Sequence, residues 1–377
     1  MRRICLAVLL LVGCMCAAEE FVGAWMHTVY QPQYAEQTTQ QNKKYLIGQL
    51  DALRDAGVTD VLFQVRPSAD AFYQSDLEPW SRFLTGTAGK APVPFWDPLQ
   101  FMVAEAHARG MKLHAWLNPY RVTTSKNESL PKTHIYHKEP WRFVKYEGDG
   151  KVYFDPGVPE NRAFIVAVVE DIVSRYDVDG IHFDDYFYPY PAKGKEFPDG
   201  KSFRKYGKGM KRGDWRRRNV DMLVQEVGKA IKQLRPEVRF GISPFGVWRN
   251  KKNDPRGSET SALQNYDDLY ADVILWAEEG WIDYLIPQLY WEDGHPRAPY
   301  TPLALWWAQA VDPRCDLYIG QDAERTMKCG ELDLKLGLCD DLDAVKGVCW
   351  WPAYYVSANK DGIADRLKSR NHKQVGR

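Results

Sequence analysis

Apolar residues along this chain come in two alternating kinds of run. Short runs of four to six residues recur with a β-strand character, beginning near Val22-Gly23-Ala24-Trp25, Asp60-Val61-Leu62-Phe63-Gln64-Val65, Lys112-Leu113-His114-Ala115-Trp116-Leu117 and Gly180-Ile181-His182-Phe183. Four more follow at Arg239-Phe240-Gly241-Ile242-Ser243, Tyr284-Leu285-Ile286-Pro287, Asp316-Leu317-Tyr318-Ile319-Gly320 and Gly347-Val348-Cys349-Trp350-Trp351. Between most of them the apolar spacing changes to that of a helix. Leu46, Leu50 and Leu53 share one face before Gly57, and Phe101, Ala104 and Ala108 share another before Gly110. Phe164, Val168 and Ile172 define a third helix. Leu223, Val227 and Ile231 define a fourth, which must stop before Pro236. Strand–helix alternation of this length implies parallel strands joined by right-handed crossovers. Eight such units predict an α/β fold of one kind, a closed (β/α)₈ barrel of the TIM type. No glycine-rich phosphate loop follows the first strand, which argues against a dinucleotide-binding sheet.

The pattern breaks at both ends of the picture. Arg2 and Arg3 precede a short apolar stretch from Leu6 to Val12, too brief to span a bilayer, so residues 1–18 read as a signal peptide and 19–377 as the barrel domain. Two endings fit this leader. Leu11-Val12-Gly13-Cys14 resembles a lipobox, which would make Cys14 a lipidated first residue; cleavage near Ala17 or Ala18 would release a soluble protein. The expected location is exported, either periplasmic or as an outer-membrane lipoprotein, with membrane contact through the N-terminal anchor. Segments of about 120–159 and 186–214 are long insertions after the third and fourth strands, where barrel enzymes build their sites.

Composition narrows the function. Lys plus Arg and Asp plus Glu are equal at 50 each, so no charge excess favours nucleic acid or an anionic membrane. The 14 Trp, 21 Tyr and 15 Phe are abundant, pointing to a heavy core or to flat platforms for a ligand. Cys315, Cys329, Cys339 and Cys349 carry no CxxC spacing or adjacent His pattern, so they read as structural, with Cys349 a buried thiol and pairing of the others open to an oxidising compartment. No metal site and no cofactor are expected.

The densest chemical signal is Asp179-Gly180-Ile181-His182-Phe183-Asp184-Asp185-Tyr186-Phe187-Tyr188-Pro189. Ile181 and Phe183 belong against the helices, so His182 and Asp184 should face the lumen at the catalytic rim; Asp185 opens the loop. A carboxylate there can act as nucleophile, base or stabiliser of an oxocarbenium-like transition state, and glycoside cleavage ordinarily needs a second, protonated one. The bland alternative is that both acids bind loop amides or a cation.

Six blocks together carry a resemblance: Phe21-Val22-Gly23-Ala24-Trp25, Gln64-Val65-Arg66-Pro67, Trp116-Leu117-Asn118-Pro119-Tyr120-Arg121, Asp179 to Pro189, Gly241-Ile242-Ser243-Pro244-Phe245-Gly246 and Pro287-Gln288-Leu289-Tyr290-Trp291. In this order they are similar to the bacterial glycosyl-hydrolase-like family ten. The resemblance implies a (β/α)₈ barrel and, through a relative that is an outer-membrane lipoprotein hydrolase of peptide-stripped glycan strands, a β-1,4-linked amino-sugar polymer as substrate. The fourth-strand block also resembles the chitinase signature Asp-Gly-x-Asp-x-Asp-x-Glu. Here His182 stands at the middle Asp and Tyr186 at the catalytic Glu, which removes the usual general acid.

Asp184 and Asp185 are therefore the first catalytic candidates. Glu292 is the next choice for a second acid, ahead of Asp293, Asp322 and Glu324. Trp116, Trp248, Tyr290 and Trp291 sit at strand ends where they can stack on sugar rings or pack in the core. Arg66, Asn118, Arg121 and Arg249 can bind hydroxyls or substrate carboxylates or form structural bridges, and His182, Tyr186 and Gln288 complete the candidate binding set. His27 and His114 read as satisfied core or rim histidines, and the basic run Lys208 to Arg218 as a solvated face. The expected function is a glycoside hydrolase of polysaccharide, chiefly peptidoglycan glycan poor in stem peptides. A glycan-binding lipoprotein without activity and a glycosidase for host or dietary glycans remain as alternatives. Oligomeric state is not legible.

Overall fold

In the computed structural model, the backbone is described for residues 21–375 and the side chains for 21–370, so Cys14 and the leader lie outside the described residues. Eight parallel strands close into a barrel: Phe21–Met26, Asp60–Arg66, Lys112–Leu117, Gly180–Phe183, Arg239–Ile242, Tyr284–Leu285, Asp316–Asp322 and Val345–Trp351. Each pairs with its neighbour in sequence, and the eighth returns to the first with Ala24 opposite Trp350. The sixth strand is only two residues long because Pro287 has no N–H to donate; pairing resumes at Gln288, which bridges Phe245 and Gly320.

Alternation along the strands divides the interior in two. Ala24, Val61, Phe63, Leu113, Ala115, Ile181, Phe183, Phe240 and Ile242 join the large core under the helices. Phe21, Trp25, Leu62, Trp116, Tyr284, Ile286, Tyr318 and Cys349 fill the lumen as a separate cluster. Two glycines make room for it. A Cβ on Gly180 would lie 2.2 Å from His114 Nδ1, and one on Gly241 would lie 2.0 Å from the Tyr284 ring. The barrel is thus a packed core rather than a pore.

The helices follow the apolar faces with one correction. Thr39–Asp55 starts at a Thr38/Gln41 capping box, buries Leu46, Leu50 and Leu53, and is followed by Gly57 at φ +91°. Arg212–Leu234 buries Leu223, Val227 and Ile231 and ends before Pro236. In Pro98–His107 the buried residues are Leu99, Met102, Val103 and Ala106, whereas Ala104 and Ala108 are exposed and Phe101 is half-buried. Both faces have helical spacing. The larger aliphatic volumes of Leu, Met and Val win the core.

The two insertions are folded. The first holds an antiparallel pair, Phe143–Lys145 with Val152–Phe154. The second holds the helix Gly200–Tyr206 and is fastened by buried Asp199, which accepts from Arg216 at 2.7 and 2.8 Å and from Arg212 at 2.9 Å. The basic run is therefore not simply a solvated face: Arg216 and Trp215 are buried, with the Trp215 ring against Gly157. Cys315, Cys329 and Cys349 are free thiols, and the Cys339 sulfur lies 3.5 Å from the Tyr300 hydroxyl. No described helix is long and apolar enough to cross a membrane.

Candidate active site

The fourth strand ends by delivering Asp184 and Asp185 to the rim. Its start is fixed by Asp179, whose Oδ2 accepts from the Leu113 N–H at 2.7 Å and lies 2.8 Å from His107 Nε2. Within the lumen, His182 is fully buried. Its Nε2 accepts from the Trp25 indole N–H at 3.1 Å and lies 3.0 Å from Ser243 Oγ, and its Nδ1 lies 3.3 Å from the Tyr284 hydroxyl. Because an indole N–H only donates, Nε2 is the bare nitrogen and Nδ1 carries the proton. Tyr284 then donates to His114 Nδ1 at 2.8 Å, and His114 Nε2 donates to Asp60 at 3.1 Å. Burial, with His114 nearby, lowers the His182 pKa well below its usual value, so the ring stays neutral. This ordered column holds the fourth strand and Trp25 in register beneath the pocket.

Asp184 is buried and surrounded by donors. Trp116 Nε1 donates at 3.2 Å, Asn118 Nδ2 lies 3.1 Å from both oxygens, and the Tyr186 N–H reaches Oδ1 at 3.4 Å. Burial raises its pKa, while the Arg121 charge and these hydrogen bonds pull it back. Asp185 has fewer compensations. Burial first, and then the neighbouring Asp184 charge, push it up to about 7 against the opposing Tyr190 and Gln288 hydrogen bonds. Two carboxyls this close resist ionising together. Asp184, held by more hydrogen bonds and by the Arg121 charge, is the one that carries the negative charge, and Asp185 is the one that holds its proton up to about pH 7.

Both acids open into one pocket of about 180 Å³, lined also by Trp25, Trp116, Tyr186, Ser243, Gln288, Tyr290 and Trp351. That is smaller than a site that encloses a whole ligand. It accommodates a single ring, with any chain running out over the rim. Its walls are aromatic: Trp116 and Trp351 meet edge to face at 6.2 Å, and Tyr290 meets Trp25 at 6.5 Å.

Of the residues singled out from sequence, Asp184, Asp185, Trp116, Tyr186, Gln288 and Tyr290 line this pocket, and Asn118, Arg121 and His182 hold its walls. Arg121 donates to the Pro67 carbonyl at 2.8 and 3.0 Å and lies over the Tyr186 ring at 5.3 Å.

Five others are placed elsewhere. Arg66 is sealed in the interior with its guanidinium on Glu78 at 2.5 and 2.6 Å and on the Asn118 and Pro119 carbonyls, so it buttresses the turn bearing Asn118 instead of meeting substrate. Arg66→Ala would strand Glu78 as a buried charge, and a loss of about 3–5 kcal/mol is expected in urea unfolding. Trp248 is buried against Trp306 in a different hollow, with its N–H on Asp272 at 3.2 Å. Trp291 packs on Phe245, outside the pocket lining. Glu292 is partly exposed, 3.5 Å from Arg325, and the pocket lining does not include it. Arg249 is occupied by Asp254 and Asp267.

Sequence reasoning had not assigned Trp25, Ser243, Tyr190 and Trp351 to the site. Strand parity holds the signal for two of them: Trp25 follows Phe21 and Gly23 on the inward side, and Trp351 follows Cys349. Among the described residues no group of three or more His, Cys, Asp or Glu side chains is gathered to hold a metal ion.

A closed parallel barrel with two buried carboxyl groups opening at its C-terminal rim is a TIM-type barrel with an acidic pocket. The solved structures agree on the fold: the catalytic domain of β-amylase from Paenibacillus polymyxa superposes with a TM-score of 0.55 over 92% of this chain and 95% of that one, at 12% identity. Residues 20–333 match the family described as Glycosyl hydrolase-like 10, and the chain belongs to that family. Similar relatives include Glycosyl hydrolase YngK of Bacillus subtilis (strain 168), 41% identical over 93% of this chain and 71% of the relative. Glycosyl hydrolase DigH of Escherichia coli (strain K12) is 43% identical over 73% of this chain and 64% of its own length. The chain thus spans about two thirds of these longer relatives. Family and fold together support a glycoside hydrolase.

Proposed function

We propose that the protein hydrolyses glycosidic bonds in a polysaccharide, namely peptidoglycan glycan strands poor in stem peptides, after export to the periplasmic side of an outer membrane through a leader ending at Cys14. The observation that carries the enzymatic reading is the pairing in one aromatic pocket of a donor-ringed Asp184 with an Asp185 whose pKa lies near 7. Asp185 gives its proton to the leaving glycosidic oxygen as the C1–O bond breaks. Asp184 meets the positive charge that develops at C1. Water then supplies hydroxyl to C1 and returns a proton to Asp185, so one water is consumed per cut. Trp116 and Asn118 keep the Asp184 carboxylate fixed toward the pocket, so no reorganisation is needed as charge develops. The amino-sugar substrate is supported by the family resemblance and by aromatic walls suited to pyranose faces.

The test is digestion of denuded and intact peptidoglycan followed by mass spectrometry. Products one water heavier per cut, formed faster from denuded strands, are expected. Binding without products from any glycan would instead mark a glycan-binding protein. Globomycin-sensitive processing that disappears in Cys14→Ala checks the anchor.

A further inference from the structure

Beside the catalytic pocket lies a second, larger hollow of about 930 Å³. Its walls are the loop after the first strand, the helix Thr39–Asp55 and the helix Ala353–Ser357 that follows the eighth strand. The two are neighbours: the His27 ring, on the groove side, lies 4.7 Å from that of Trp351, which lines the catalytic pocket. We propose that this groove is a saccharide-binding arm that receives an acidic, N-acetylated stretch of glycan leaving the catalytic pocket, with Lys44 reading its carboxylate. This deepens the glycan reading above and rests on it.

Three observations carry the proposal. The lining is rich in side-chain amides: Gln31, Gln37, Gln41 and Gln49 all contribute. Such amides donate and accept at once, as hydroxyl and acetamido groups require. Next, Lys44 is exposed on the groove, and among the described residues no carboxylate pairs with it. Every acidic group near a cation elsewhere on this helix is used, as with Asp51 on Arg109 and Arg54. Finally, Gly48 sits in the interior of a 17-residue helix, where glycine is a poor helix former. A Cβ there would meet nothing within 4 Å, so packing against the protein does not demand a glycine. The position is open, and a side chain placed there would project into the groove.

The ligand chemistry follows. In a strand stripped of peptide, each lactyl group ends in a free carboxylate; in a stem-bearing strand the same carbon is an amide. Lys44 therefore distinguishes the two by charge, and the bare groove floor at Gly48 accepts the ring that carries it.

Affinity is measured on the full chain carrying Asp184→Asn, so that binding is read without turnover. The probes are denuded glycan strands, the same strands with their carboxylates amidated, and neutral chitooligosaccharide of equal length. Lys44→Gln is expected to weaken binding of the acidic strands about fivefold, with Lys44→Arg restoring it, and to leave the two neutral probes unchanged. Gly48→Leu is expected to weaken all three while the melting temperature holds or rises, because leucine is the better helix former. Equal binding by Lys44→Gln and its parent, or a loss that is the same on acidic and neutral probes, overturns the assignment of Lys44. Undiminished binding in Gly48→Leu overturns the groove. Neither result touches catalysis: the hydrolase reading fails separately, if the unsubstituted protein releases no product.

Discussion

Asp184→Asn is expected to lower turnover of any glycan substrate by about 10⁴-fold or more, with the fold intact by circular dichroism. The size follows from how completely the site is organised around one negative charge. Trp116, Asn118, the Tyr186 N–H and the Arg121 field all favour an anion at this position, and burial makes each of them count for more than it would in water. An amide in its place carries no charge to meet the forming cation. One of its own N–H groups must also face donors, so affinity for substrate is expected to fall less than turnover. A variant with more than a tenth of parental turnover would remove Asp184 from the chemistry.

Asp185→Asn is expected to be the second-largest loss, about 10²–10⁴-fold on natural glycan, and its signature is chemical rather than quantitative. A general acid matters in proportion to the basicity of the leaving oxygen. An aryl glycoside with an acidic phenol should therefore be cut nearly as fast by the variant as by the parent, while a sugar leaving group should not. Retained dependence on Asp185 with both leaving groups would exclude the acid role.

The same residue fixes the pH response. Parental activity should fall as pH rises through about 7, where Asp185 loses its proton, and should fall on the acid side as Asp184 becomes protonated, above the ordinary carboxylate range. Stability moves in a related way. The Asp185 pKa is raised from 3.8 to about 7 on folding, so between those values the folded chain holds a proton that the unfolded chain has released. Its contribution is intact below about pH 4 and is lost as pH climbs through 7. Asp185→Asn lacks that loss, and its melting temperature should gain on the parent steadily from pH 4 to 8. Under the proposed mechanism, an acid that weakens its own fold at working pH is the expected trade of function against stability.

Particular elements show what made the fold readable. All eight strands lie where the short apolar runs lie, because a barrel strand covered by helices outside and packed in the lumen must be apolar or small nearly throughout. The fourth strand was readable residue by residue: Ile181 and Phe183 join the outer core, and His182 enters the lumen. Parity alone settles this, since consecutive side chains of a strand must point to opposite sides. The helix Pro98–His107 was harder. Its apolar residues form two candidate faces, and only the shape of the neighbouring strands selects Leu99, Met102, Val103 and Ala106.

Side chains that reach far were the least readable. Arg66 lies in a motif block like Asn118 and Trp116, and Trp248 sits at a strand end like Tyr290, yet both are buried away from the pocket opening. Their length lets them reach partners, Glu78 and Trp306, that are distant in sequence and unmarked by any pattern. Glu292 follows the sixth strand at the correct end of the barrel, but its loop carries it to Arg325.

From its amino acids in order, this protein had already determined an eightfold strand–helix repeat and an acidic pair at the end of the fourth strand, because backbone periodicity and hydrophobic burial act over a few residues at a time. What only the folded chain decided was which long side chains face the pocket, which acid keeps its proton, and that a second hollow opens beside the first. Those depend on distance and dielectric between residues such as Asp185 and Gln288, or His27 and Trp351, that meet only once the barrel has closed.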